Sequence, residues 1–174
     1  MAPSIYTIGH STRSAEDFLG LLEAKGIRRL CDIRTIPRSR HNPQFAEPEL
    51  AGTLARAGIA YQRLPKLGGL RHARPDSPNT GWRNLSFRGF ADYMQTADFA
   101  AGLAELEALA RALPTAIMCA EAVPWRCHRS LVADALLVHG WQVWDILSAK
   151  PPSLHRATPF LRVVEGRLSY PSPG

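Results

Sequence analysis

The sequence predicts a three-layer α/β domain built on a mainly parallel, five-stranded sheet. Two observations carry this. Five apolar runs of strand length alternate along the chain with amphipathic segments of helical period, the pattern of consecutive βα units. The residues that immediately follow those runs are unusually rich in His, Cys, Arg, Asp and Gly. In parallel α/β sheets, ligands bind beyond the carboxyl ends of the strands. Segments distant in sequence are therefore expected to meet on one edge.

Taken in order, Ile5–Ile8 reads as the first strand, ended by Gly9-His10-Ser11-Thr12. Ser14 is an N-cap with Asp17 in the capping-box position, Phe18, Leu19 and Leu22 form an apolar stripe, and Gly26 stops the helix. Ile27–Ile33 is the second strand, and it runs into the basic loop Arg34–Pro43. Pro48 suits the first turn of a second helix, with Leu50 and Leu54 one turn apart and Gly58 as its stop. Ile59–Leu64 is the third strand. An irregular stretch follows from Pro65 to Leu85, long enough to suggest function or mobility. Ser86 is placed to cap a helix carrying Phe87, Phe90 and Met94. A further helix carries Phe99, Leu103, Leu106, Ala110 and Leu113. Thr115–Ala120 is the fourth strand, a helix runs from Cys127 to His139, and Trp141–Leu147 is the fifth strand. Residues 150–174 form a Pro-rich extension in which Phe160–Val164 and Arg167–Tyr170 can pair as a small hairpin across Glu165-Gly166.

Length and composition bound the function. The 174 residues are expected to form one domain, and 45% hydrophobic with 21% charged content is ordinary for a folded soluble chain. No apolar run has membrane-spanning length, no secretory signal is read at the N-terminus, and three cysteines do not make a disulfide scaffold. The expected setting is cytoplasmic, with no membrane partner. A net charge of +6, with Arg in excess of Lys, favours an anionic partner: a small molecule, a nucleotide or nucleic acid.

The chemistry concentrates in Ile117–Ser130, where two thiols, an imidazole, a carboxylate and two arginines occupy one strand–loop–helix junction. Cys127, at a helix N-terminus beside Arg126, His128 and Arg129, is expected to have a lowered thiol pKa and to be the better nucleophile. Cys119 is the alternative, although a buried Cys is commonly a small core residue. A reversible disulfide between the two is a further option. Glu121 and His10 are candidate acid and base. Ser11, Asp32, Arg34, Arg38, Gly68, Gly69, Arg71, Arg126 and Arg129 are candidate substrate and anion contacts, with Asp32 and Arg34 equally suited to an ion pair that shapes the pocket. Arg40, Arg74, Arg83 and Arg88 extend a basic rim, and Tyr61, Trp82 and Trp125 offer stacking faces. Cys31, within a strand, reads as core. Cys119 and Arg126 are seven apart, one more than a phosphatase loop requires, and Glu121 would repel phosphate. Cys119, Cys127, His128 and His10 are zinc ligands by type but lack hook spacing. With no G-x-G-x-x-G or Walker motif, no cofactor is expected.

Several segments together resemble a known family: Ile5–Ser11, Asp32–Ser39, Leu67-Gly68-Gly69, Phe87–Met94, and Met118–Glu121 through Cys127-His128-Arg129. They are similar to the DUF488 family, and this implies a Rossmann-like α/β domain without settled activity, with suggested links to DNA repair or modified nucleotides. Residues and resemblance together lead to an enzyme with a Cys/His/Glu/Arg site acting on a nucleotide-like or other anionic small molecule. The alternatives are a non-catalytic module binding nucleic acid or a modified nucleotide, and a thiol redox or metal site.

Overall fold

A computed structural model describes residues 2–173. Five strands, β1 (Ser4–Gly9), β2 (Arg29–Asp32), β3 (Ala60–Arg63), β4 (Thr115–Cys119) and β5 (Gln142–Ile146), lie parallel in the order β3-β2-β4-β1-β5. A sixth, β6 (Ser153–Leu154), pairs antiparallel with β5 at the edge. The sheet is thus mixed and six-stranded. Patterning does not predict β6, because two residues after Pro151-Pro152 show no period. The expected hairpin forms from β7 (Arg162–Val164) and β8 (Arg167–Ser169).

The helices are α1 (Ala15–Ala24), α2 (Glu47–Arg56), α3 (Leu85–Tyr93), α4 (Ala97–Ala112) and α5 (Arg129–Val138). Ser14 caps α1 by accepting from the Asp17 amide. The expected cap of α3 at Ser86 is corrected to Asn84, whose side chain accepts from the Ser86 and Phe87 amides. Asn is at least as good an N-cap as Ser and lies two residues earlier. Gly26 and Gly58 end α1 and α2 at φ +67° and +74°, the left-handed region that glycine enters without strain.

Strand alternation sorts the core into two layers. Ile8, Leu30, Ala116, Met118 and Ile146 face α1 and α2 through Phe18, Leu22, Leu50 and Leu54. Ile5, Cys31, Ile117 and Val143 face α4 and α5 through Leu103, Leu106, Leu131, Val132 and Leu136. Each such side chain, fully buried, contributes about 1.5–3 kcal/mol. The connections from β1 and β2 cross the first face, and those from β3 and β4 cross the second. β4 lies between β1 and β2, so its chain leaves to one face while both neighbours leave to the other. That divergence opens a crevice at the carboxyl end of β4.

The long stretch from Pro65 to Leu85 is tied down. Asp92 of α3 accepts from the Arg74 amide (2.8 Å), the Ser77 hydroxyl and Asn79 Nδ2 (2.7 Å). Burial disfavours its charge, but these donors outweigh it and hold the carboxyl below the usual range. Asn79 in turn accepts from the Tyr170 amide, and the Gly81 amide donates to the Tyr170 carbonyl. The C-terminal extension therefore clasps this stretch, with Trp82, Phe87, Phe160 and Tyr170 packed ring to ring.

The same extension is anchored electrostatically. Fully buried Asp134 accepts from Tyr170 Oη (2.8 Å) and His155 Nε2 (2.9 Å), and Asp145 lies 3.5 Å from His155 Nδ1. Burial disfavours the imidazolium, but hydrogen bonds to the two carboxylates outweigh it and raise its pKa to about 9. A raised folded-state pKa contributes stability that is complete below the unfolded value, near 6.5, and lost as pH rises through 9. Urea unfolding is expected to show a loss of about 3 kcal/mol across that window. His155→Gln should flatten the profile, and an unchanged slope in that variant would contradict the assignment.

Candidate active site

The crevice at the end of β4 is a cavity of about 430 Å³. Its floor is the turn Cys119–Glu121 and the Cys127-His128 step. Its walls come from the loop after β2 (Arg34–Arg38), from Gly69-Leu70, and from Ser86-Phe87 of α3.

Arg129 organises the floor. It opens α5, a helix whose residues from Arg129 to Leu136 are all buried, and its own side chain is completely buried. Its Nη1 donates to Cys119 Sγ at 2.8 Å and to the Glu121 carbonyl at 2.7 Å. Among the described residues no carboxylate pairs with it. A buried guanidinium without a counter-anion is strongly unfavourable, and the sulfur in contact with it is the group able to supply the charge. Burial opposes ionisation of Cys119, but a hydrogen bond from Cys127, the charge and N–H of Arg129, and the Glu121 backbone outweigh it. The Cys119 pKa falls to about 7. The thiol therefore ionises more readily than an ordinary thiol.

Cys127 behaves oppositely to the sequence expectation. Burial raises its pKa, and the neighbouring Cys119 sulfur, bonded to it and negative, raises it further; the Arg129 amide, 3.4 Å from its sulfur, compensates only in part. The reason is local. A 3₁₀ turn spans Pro124–Arg126, and α5 begins two residues after Cys127. His128 sits with Nε2 2.9 Å from the Ile33 carbonyl and 3.0 Å from the Leu67 carbonyl. Two acceptors require Nε2–H, which leaves the Nδ1 lone pair facing Cys127 Sγ at 3.5 Å. Burial lowers the His128 pKa to about 4, aided by the charges of Arg129 and Arg71, so the ring is neutral.

The remaining candidates divide. Glu121, Arg34, Arg38, Gly69 and Arg126 line the cavity with Cys119, Cys127 and His128. Asp32 and Arg34 form the expected ion pair at 2.7 Å, with Arg34 also donating to the Phe45 carbonyl and Tyr61 Oη donating to Asp32 at 2.6 Å. The charge of Arg34 is thereby neutralised before any ligand arrives. Gly68 packs against Thr35 outside the lining, and Arg71 stands in a neighbouring cavity. His10 follows Ile8 on the opposite face of the sheet from Cys119. It stacks on Phe45 (4.5 Å), its Nδ1 bonds the Ser11 carbonyl, and its pKa is lowered by burial. Ser11, at φ +51°, donates its amide to the Ala120 carbonyl and so buttresses the Cys119 turn from behind. Of the aromatic residues, Tyr61 and Trp82 are engaged in packing, and exposed Trp125 lies outside the lining. Cys31 is core, pushed up to about 12 by burial. Among the described residues no group of three His, Cys, Asp or Glu side chains is arranged to hold a metal, and His128 directs Nε2–H at carbonyls.

Arg129 as the partner of Cys119 is what sequence reasoning missed. It grouped Arg129 with Arg126 as an anion holder. The signal was present: the residues after Arg129 are nearly all apolar, as in a helix buried all round.

Gly9 is the close-approach point that makes the floor feasible. A Cβ there would lie 1.5 Å from the Glu121 carbonyl oxygen and 2.6 Å from Arg129 Nη1. Gly9→Ala is expected to cost about 3 kcal/mol in urea unfolding and to raise the pH at which Cys119 ionises. Gly20→Ala, where a Cβ meets nothing within 4 Å, should be neutral or slightly stabilising. Equal behaviour of the two variants would contradict this account of the floor.

No helix among the described residues is long and apolar enough to cross a membrane. Comparison with curated proteins and with solved structures gave no match. A family model matches residues 14–136, from the cap of α1 through the cysteine turn and into α5. On that match, which takes in well over half of its length, the chain belongs to the family described as Domain of unknown function DUF488.

Proposed function

We propose that this protein is a cysteine-dependent enzyme in which Cys119 is the nucleophile, acting on an anionic, nucleotide-like small molecule held in the crevice at the end of β4. The supporting observation is the buried contact between Arg129 and Cys119 Sγ at 2.8 Å, with no carboxylate paired to Arg129 among the described residues. A structural cysteine has no use for a buried cation, and a thiolate kept in that state beside a cavity is a nucleophile. Cys119 forms a bond to the electrophilic centre, and the leaving group departs with its bonding electrons. Glu121, a residue of the same cavity lining, is the candidate to exchange a proton with it. Arg38 and Arg126 line the rim with no ion-pair partner among the described residues and serve as anion contacts.

The electrostatic coupling of the two thiols favours one further reading. A thiolate beside a thiol can close a disulfide, both sulfurs losing their protons and passing two electrons to a disulfide oxidant such as oxidised glutathione.

Iodoacetamide labelling followed by intact mass against pH separates these readings. The wild type is expected to gain one adduct, with the rate rising through a midpoint near pH 7. Cys119→Ser should abolish that adduct, and Cys127→Ser should keep it with the midpoint moved upward. Folded protein with three thiols silent below about pH 8 would sink the nucleophile assignment. Loss of two protons in mass on treatment with oxidised glutathione, blocked by either substitution, would favour the redox reading.

A further inference from the structure

The motif Phe87–Met94 takes little part in the cysteine site, yet it builds a second cavity beside it. That cavity, about 620 Å³, is lined by Arg71, His72, Arg74 and Arg88 with Leu70 and Leu85, and no acidic residue is in its lining. It shares Leu70 and Ser86 with the cysteine cavity, so the two are adjacent, with those residues between them.

The basic groups are held in place. Gly89 lets the backbone of residues 71–73 lie directly on α3, since a Cβ there would come within 2.3 Å of the Arg71 carbonyl oxygen. Asp92 fixes the Arg74 amide. The Arg71 guanidinium lies 3.6 Å from the centroid of the Tyr93 ring and donates Nε to the Gly68 carbonyl, while Tyr93 Oη is anchored on the Lys66 carbonyl. Arg88 spends only Nε, on the Trp82 carbonyl. Arg74 has one weak partner, Asp76 at 4.0 Å on the exposed surface.

Charge is distributed unequally between the cavities. In the cysteine cavity Asp32 neutralises Arg34 and the Cys119 thiolate answers Arg129, and Glu121 offsets one of the two remaining arginines. The second cavity brings three arginines together with no carboxylate in its wall. Guanidinium groups with unspent N–H donors, preorganised around a concavity, are the chemistry that takes phosphate oxygens.

We infer that the cavity lined by Arg71, Arg74 and Arg88 is a phosphate subsite, and that the substrate class is a phosphorylated organic molecule whose phosphate lies there while its reacting end reaches across Leu70 to Cys119. The second half of this statement rests on the nucleophile reading above; the phosphate subsite does not. Exposed Leu70 and Leu85 supply the apolar surface for the organic body between the two ends.

Calorimetric titration with inorganic pyrophosphate, ADP and a short single-stranded oligothymidylate tests the subsite at low and moderate salt. It is run on wild-type protein and on Cys119→Ser, so that the outcome does not depend on thiol chemistry. Pyrophosphate and ADP are each expected to bind, more weakly as salt rises. His72→Gln/Arg74→Gln, which removes two exposed side chains without protein hydrogen bonds of their own, is expected to weaken both by about tenfold. Arg88→Gln gives a second reading once its fold is verified by circular dichroism. ADP tighter than pyrophosphate identifies a nucleotide as the source of the phosphate; equal affinities identify the free phosphoanion. Absence of binding by either, binding unaffected by the double substitution, or binding of the oligothymidylate alone would overturn the proposal, the last in favour of a nucleic-acid surface.

Discussion

The contact between Arg129 and the Cys119 sulfur is the constraint on which the rest of the site depends. A guanidinium excluded from water must be answered by negative charge and by acceptors for its N–H groups. Here the answer comes from one sulfur and from the backbone carbonyls of Glu121 and Ala122. Those carbonyls can turn inward only because Gly9 leaves room for them. The Ala120 carbonyl is held in turn by the Ser11 amide, and that of Cys119 by the His10 amide. The ends of two parallel strands and the first residue of a helix are thus locked to one ionised thiol.

The fold supplies this arrangement through connectivity. β4 sits centrally, yet its chain leaves the sheet on the face opposite to that used by β1 and β2. The loops splay, and the crevice between them is walled by the segment after β2, Gly69-Leu70 after β3 and the first turn of α3. Asp92 and the C-terminal extension hydrogen-bond the long stretch after β3, which the sequence suggested as functional or mobile.

The sheet, its helices and the meeting of motifs at one edge were legible because alternating apolar runs and capping residues are local signals. Side-chain direction was less so. His10 and Cys119 both end strands on the same edge, but residues two apart on a strand share a face. Ile8 and His10 belong to the α1–α2 side, Ile117 and Cys119 to the α5 side. The pKa shifts of the two thiols run opposite to the expectation for a related reason. Proximity to a helix start argued for Cys127, but a short 3₁₀ turn and a partner eight residues upstream decide the matter. Neither leaves a trace in composition. The role of Arg129 was readable in principle, from a charged residue at the head of a mostly apolar helix. The two-residue strand β6 was not.

The charges of the two thiols are coupled. While Cys119 is ionised, its charge keeps Cys127 protonated. Once Cys119 is bonded to another atom the charge is gone, and the obstacle to ionising Cys127 beside Arg129 goes with it. The first sulfur therefore acts as an inhibitor of the second, released by its own reaction. Two cysteines that are chemically identical in the unfolded chain differ, in the fold, in how readily each gives up its proton.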